Sequence, residues 1–227
     1  MFAQWLALRI WSSIWIKCFS AVILLAAFLT LSRLAYMSKA LCRYVALLRA
    51  VNGGQVNTIL KEDLRSLFTE SGAGWAETYI TSGNVVFECL PTKLAAILEK
   101  AHARLRQRHK IEQPIIVRTI AELGVLCEAA IPPISRPDYI GVVATFLSTQ
   151  AKTVPVLPVS SRRGDICVFE IRKDVVLSHR FKVNGNAGDA NAFAERLFGV
   201  PSTSRSWNTV KGLVRKFSVS PTTKSNG

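Results

Sequence analysis

Thr78-Tyr79-Ile80-Thr81-Ser82-Gly83-Asn84-Val85-Val86-Phe87 is the stretch whose reading decides the fold. Two β-branched and aromatic runs, 78–81 and 85–89, flank Ser82-Gly83-Asn84. Glycine and asparagine both tolerate positive φ, so these three residues read as the turn of a hairpin. Upstream, residues 42–49 form an apolar run with Tyr44, Val45, Leu47 and Leu48, which reads as a buried strand. Asn52-Gly53-Gly54 follows as a turn, and Leu60, Leu64, Leu67 and Phe68 then fall at helical spacing until Gly72. Downstream, Pro91 opens a helix with Leu94, Ile97, Leu98, Ala101 and Leu105 on one face. Pro114–Arg118 reads as a strand and Ala121–Ala129 as a short helix. The order is β-α-β-β-α-β, the split βαβ or ferredoxin-like pattern.

Ile131-Pro-Pro-Ile-Ser-Arg-Pro-Asp138 is a rigid, proline-rich connection and the best candidate boundary. Beyond it, Tyr139–Leu147 reads as a strand, with residues 148–164 as an excursion or a short helix. Ile166–Arg172 and Val175–Phe181 read as a hairpin turning at Lys173-Asp174. Ala190, Phe193, Ala194, Leu197 and Phe198 form an amphipathic helix ended by Gly199, followed by an extended Ser202–Ser206 and a basic helix over Asn208–Phe217. The expected fold is therefore α+β: two ferredoxin-like halves, 37–131 and 132–227, with antiparallel or mixed sheets and helices packed on them. The halves share no repeat in residue identity.

Residues 1–36 stand apart. Cys18–Ser32 holds no charge and is bounded by Lys17 and Arg33. Such a run is shorter than the ~20 residues that span the hydrocarbon core. Three readings compete: upstream sequence read in frame before a start at Met37, a marginal membrane anchor, and a signal peptide. The first two place the body in the cytoplasm. In the anchored alternative the body is held at the inner membrane, because Arg33, Lys39, Arg43 and Arg49 follow the apolar run and stay inside. Any membrane contact is expected through residues 1–36 only.

Of 227 residues, 49% are hydrophobic, enough for a sizeable core and against wholesale disorder. The net charge is +14; Arg9, Lys17 and Arg33 supply three of these charges and no acid lies in 1–36, which leaves +11 for the body. A basic body favours acidic partners such as nucleic acid or phosphate-bearing ligands, although charge alone also serves solubility. The five cysteines include no CxxC pair and their number is odd, which suits free thiols better than a disulfide framework. His102 and His109 lie seven apart with no third ligand beside them, so no metal site is expected. No cofactor is expected, and the oligomeric state stays open.

Three motifs together resemble a bacterial family, the domain of unknown function numbered 1697. They are Arg49-Ala-Val-Asn-Gly-Gly-Gln55, Thr78-Tyr-Ile-Thr-Ser-Gly-Asn84 and Thr203-Ser-Arg-Ser-Trp-Asn-Thr209. The resemblance runs from about Leu41 to Phe217. The family's patterns are close to Arg-Gly-Ile-Asn-Val-Gly-Gly, Thr-Tyr-Ile-x-Ser-Gly-Asn and Thr-x-Arg-Asn-Trp-Asn-Thr. This chain departs from them at Ala50, Gly53, Gln55 and Ser206. The resemblance implies an α+β fold of two related halves and no established activity. It also implies a start just before the first strand, in keeping with Met37.

The candidate ligand-binding residues are Arg49, Asn52, Gly53, Gly54, Arg205, Trp207 and Asn208. The glycine turn can present backbone N–H groups to an anion, Arg205 and Asn208 can face the same cleft as Arg49, and Trp207 offers a stacking surface. Each also has a purely structural reading as a turn, a helix cap or core packing. Asn208 or Thr209 is the expected cap of the last helix. Ser82, Gly83 and Asn84 read as a structural turn. Neither GxxxxGK[ST], GxGxxG nor GxSxG occurs. The expected function is a non-catalytic binding module for a phosphate-bearing ligand or nucleic acid. The alternatives are a small-molecule enzyme using Glu77 or Glu88 beside Tyr79 and Ser82, and a structural protein whose motifs simply hold the fold.

Overall fold

The computed structural model describes residues 40–49, 51, 59–80, 83–151 and 153–218. Residues 1–36, the turn Asn52-Gly53-Gly54 and Ser82 lie outside them. Among the described residues, those from Cys42 to Cys89 and from Lys93 to Ser218 group as one compact unit. The described residues form an α+β structure with two antiparallel sheets and five α-helices packed against them.

The first sheet contains β1 (Cys42–Leu47), β2 (Trp75–Thr78), β3 (Asn84–Cys89) and β4 (Ile116–Thr119) in the order β2-β3-β1-β4. α1 (Lys61–Glu70), α2 (Leu94–His109) and α3 (Ile120–Cys127) accompany it. The second sheet contains β5 (Tyr139–Leu147), β6 (Val159–Ser160), β7 (Ile166–Arg172), β8 (Val175–Val183) and β10 (Ser202–Ser206), in the order β10-β5-β8-β7-β6. β9 (Asn186–Ala187) pairs with β8. α4 (Ala190–Phe198) and α5 (Trp207–Phe217) complete it.

The period of two along β1 divides the core. Tyr44 and Ala46 join Leu64, Leu67 and Phe68 of α1 and Ile97, Ala101 and Leu105 of α2. Val45 and Leu47 face the other way, into a cluster with Ile120, Leu123 and Leu126 of α3 and Val210, Leu213 and Phe217 of α5. Ala144 and Phe146 of β5 and Val175 and Leu177 of β8 belong to that same cluster, so one apolar body joins the two sheets. Leu147, Val168 and Val176 turn to the opposite face of the second sheet and pack on Ala194 and Phe198 of α4. Each leucine or phenylalanine buried in these layers contributes about 1.5–3 kcal/mol.

The helix ends have local causes. Thr119 accepts from Glu122 N at 3.0 Å while Glu122 Oε2 accepts from Thr119 N at 2.8 Å, a reciprocal capping box at the start of α3. Asp189 caps α4 by accepting from Asn191 N at 2.9 Å and Ala192 N at 3.1 Å. The cap of α5 is Ser206, whose Oγ accepts from Thr209 N at 3.2 Å. The expectation of Asn208 or Thr209 was displaced by two or three residues because the helix already begins at Trp207. Residues 148–164 hold β6 and no helix among those described; Pro155 and Pro158 deprive that segment of two backbone donors.

Candidate functional site

Arg205 lies on β10, whose alternation directs it to the face it shares with Ala144. Its guanidinium is buried and all five of its N–H donors are used. Nε donates to Asn84 Oδ1 at 2.5 Å. Nη1 donates to Thr203 Oγ1 and to Ser204 O, both at 2.8 Å. Nη2 donates to Leu48 O at 2.8 Å and Gly83 O at 3.3 Å. Burial pushes its pKa down to about 10, which leaves it charged at neutral pH. Arg205 thus brings three sequence motifs to one point: the end of the first strand, the hairpin turn and β10.

The hairpin is built to receive it. Asn84 is fully buried and donates from Nδ2 to Tyr79 O at 3.1 Å. Leu48 N donates to Gly83 O at 2.8 Å, which ties the turn to the end of β1. Gly83 has φ +70°, and a Cβ there would meet Leu48 O and Val51 Cβ at 3.1 Å, so both its conformation and its surroundings call for glycine.

Arg49 pairs with Glu195 of α4, whose Oε1 also accepts from Ser202 N at 3.0 Å. Arg43 pairs with Glu88 across β1–β3 and donates to the terminal carbonyl of α5, Phe217 O, at 2.7 Å. The carboxylates that an acid–base reading would use are likewise engaged, Glu88 with Arg43 and Glu77 with Lys216. Arg49 and Arg205 are therefore adjacent, through Leu48, yet both are committed to protein partners. Asn52, Gly53 and Gly54 lie outside the described residues.

Trp207 and Asn208 are placed differently. Both line a cleft of about 370 Å³ with Tyr139, Ile140, Ser206 and Lys211. Trp207 is half-buried against the shared core cluster, while Asn208 and Lys211 are exposed. Among the described residues neither Asn208 nor Lys211 has a side-chain hydrogen bond or ion pair. The cleft combines two aromatic rings, an amide and an unpaired ammonium, and no carboxylate or histidine lines it. Tyr139 was not anticipated there, although its place just after the proline-rich connection puts it at the open end of β5.

Among the described residues no group of three or more His, Cys, Asp or Glu is arranged to hold a metal. Cys42, Cys89, Cys127 and Cys167 are free thiols. Burial raises the pKa of Cys89 to about 11 and also raises that of Cys127, so neither is an activated nucleophile. No helix among the described residues is long and apolar enough to cross a membrane.

A family model described as "Protein of unknown function (DUF1697)" matches residues 41–176. The solved structure of the conserved bacterial protein SP0830 from Streptococcus pneumoniae is similar in fold, with a TM-score of 0.53 at 20% identity, covering 78% of this chain and 98% of that one. No curated protein matches the chain.

Proposed function

The chain belongs to the DUF1697 family of proteins of unknown function, and on that premise we propose that it is a non-catalytic binding module for a phosphate-bearing ligand, held in the cleft of Trp207, Asn208 and Lys211. The observation that carries this reading is the pairing of aromatic rings with an unpaired ammonium in one cleft. Tyr139 and Trp207 provide flat apolar surface for a ring, Asn208 provides a donor and an acceptor, and Lys211 provides charge for a phosphate. Nucleotides and segments of nucleic acid carry both a ring and a phosphate, and the net charge of +14 favours such polyanions at long range.

The site is narrower than the full set of motif residues. Arg205 and Arg49 support it from behind by fixing β10 and the start of α5, rather than by touching ligand. The test is titration of the purified chain with AMP, ADP and a short single-stranded oligonucleotide at several salt concentrations. Salt-sensitive binding that weakens in Lys211→Ala and Asn208→Ala supports the reading. Equal binding by both variants, or none above background, overturns it.

A further inference from the structure

A second cleft, of about 380 Å³, opens at the start of α4 on the other side of Ser206. Arg180 and Asp189 both line it. Arg180 sits on β8 at the position after Ser178 on the α4 side, where alternation follows Val176 and Ser178. Its Nε is buried without a hydrogen-bond partner, and no described carboxylate lies within ion-pairing reach of its guanidinium. Asp189, exposed at the rim, uses Oδ1 to cap α4, which leaves Oδ2 without a protein donor. Asn191 contributes a third incomplete group, since its Oδ1 is buried without a donor.

An unpaired guanidinium in a partly desolvated cleft costs free energy that an anion removes. Asp189 disfavours a dianion such as phosphate, and it has already taken the helix N–H groups that would have held one. What fits is a molecule with one negative and one positive end. We propose that this cleft binds a free α-amino acid, its carboxylate on Arg180 and its ammonium on Asp189. The remaining wall, formed by Val143, Ala187 and Ala190, suits an apolar side chain. The guanidinium fork matches a carboxylate in bidentate geometry, and an ammonium completes the free oxygen of Asp189. Two opposite charges that share a cleft but do not touch are bridged by a zwitterion and by neither of its halves alone. This inference is independent of the phosphate-binding cleft, with which it shares only the rim residue Ser206.

The experiment is calorimetric titration of the purified chain with L-alanine and larger apolar amino acids, beside propionate and ethylamine, which each keep one charge of alanine. The variants are Arg180→Met, which keeps the stem, and Asp189→Asn, which keeps the cap and removes the charge. Amino-acid binding at millimolar concentration is expected, with each half-molecule and each variant weaker by about tenfold or more, the loss of one charge-assisted contact. A melting temperature unchanged in Asp189→Asn shows that its lost affinity is not lost folding. No amino acid binding, propionate binding as tightly as alanine, or undiminished binding by Asp189→Asn overturns the proposal.

Discussion

Arg205 donates its Nε–H to Asn84 Oδ1 across 121 residues of sequence, at 2.5 Å and out of reach of water. The same guanidinium reaches the carbonyls of Leu48 and Gly83, so the edge strand of the second sheet is bolted to the turn of the first. A planar fork with five donors suits several acceptors fixed at different angles, and no other side chain offers that geometry.

Replacing Arg205 with alanine leaves Leu48 O, Asn84 Oδ1 and Thr203 Oγ1 without this donor at once. The expected loss is about 3 kcal/mol or more of unfolding free energy, read from the midpoint in urea. Arg205→Lys keeps the charge but not the fork, and is expected to recover less than half of that loss. Asn84→Ala combined with Arg205→Ala should lose about 1–3 kcal/mol less than the sum of the single changes. Additive losses would mean that the two side chains do not act together.

Gly212 of α5 faces Tyr79 just beyond β2. A Cβ there would lie 2.0 Å from Tyr79 Oη and 2.9 Å from Cζ. Alanine in mid-helix normally gains about 1 kcal/mol over glycine, but the collision reverses the sign. Gly212→Ala is expected to cost about 1–3 kcal/mol by overpacking, measured as a lower melting temperature. Adding Tyr79→Phe removes the nearest atom and not the ring, so the double variant should regain part of the loss. No recovery would mean that the hydroxyl is not the obstacle.

Much of this arrangement was legible in the sequence where one physical cause acts locally. β5 begins just past Pro137, and β7 and α4 end where the Lys173-Asp174 turn and Gly199 interrupt the apolar period. Gly83, at φ +70°, holds the turn conformation read for the hairpin motif, whereas the cap of the last helix falls to Ser206 rather than Asn208 or Thr209, and the glycine turn 52–54 lies outside the described residues. What the sequence withheld was direction. An arginine beside tryptophan in a basic tail looks the same whether its fork faces solvent or five internal acceptors, and only the register of β10 against β5 sends Arg205 inward. Arg180 was missed for the opposite reason. It follows Val176 and Ser178 on one face of β8, and that alternation marked it as facing α4, but nothing nearby in sequence indicated that it would find no partner there.

For the cleft of Trp207 and Lys211, salt dependence separates a real phosphate contact from general attraction to a basic chain. If Lys211 meets one phosphate, Lys211→Ala should lower the slope of log affinity against log salt by about 1 while leaving that of other surface lysines unchanged. Asn208→Ala should weaken binding by a similar fold at every salt concentration, because a neutral amide releases no counterion. A Lys211→Ala slope equal to that of the unaltered chain would remove the phosphate from this cleft.

His179 provides the last prediction. It is buried on β8, stacked on Phe169 at 4.4 Å and edge-on to Tyr139 at 5.6 Å, and neither ring nitrogen has a hydrogen-bond partner. Burial lowers its pKa from the ordinary 6.5, because a charged ring there would lose its hydration without any protein partner to replace it. Below about pH 6.5 the unfolded chain therefore takes up a proton that the folded chain refuses. Stability is full well above that pH, declines as the pH falls through it, and stops declining once the folded pKa is passed. His179→Phe keeps the stack and removes both orphaned nitrogens, so it is expected to match or exceed the original stability at pH 7. It should also flatten the decline between pH 7 and about 5, measured by urea unfolding across that range against the unaltered chain. A decline of undiminished steepness would mean that the buried ring does not carry the pH dependence.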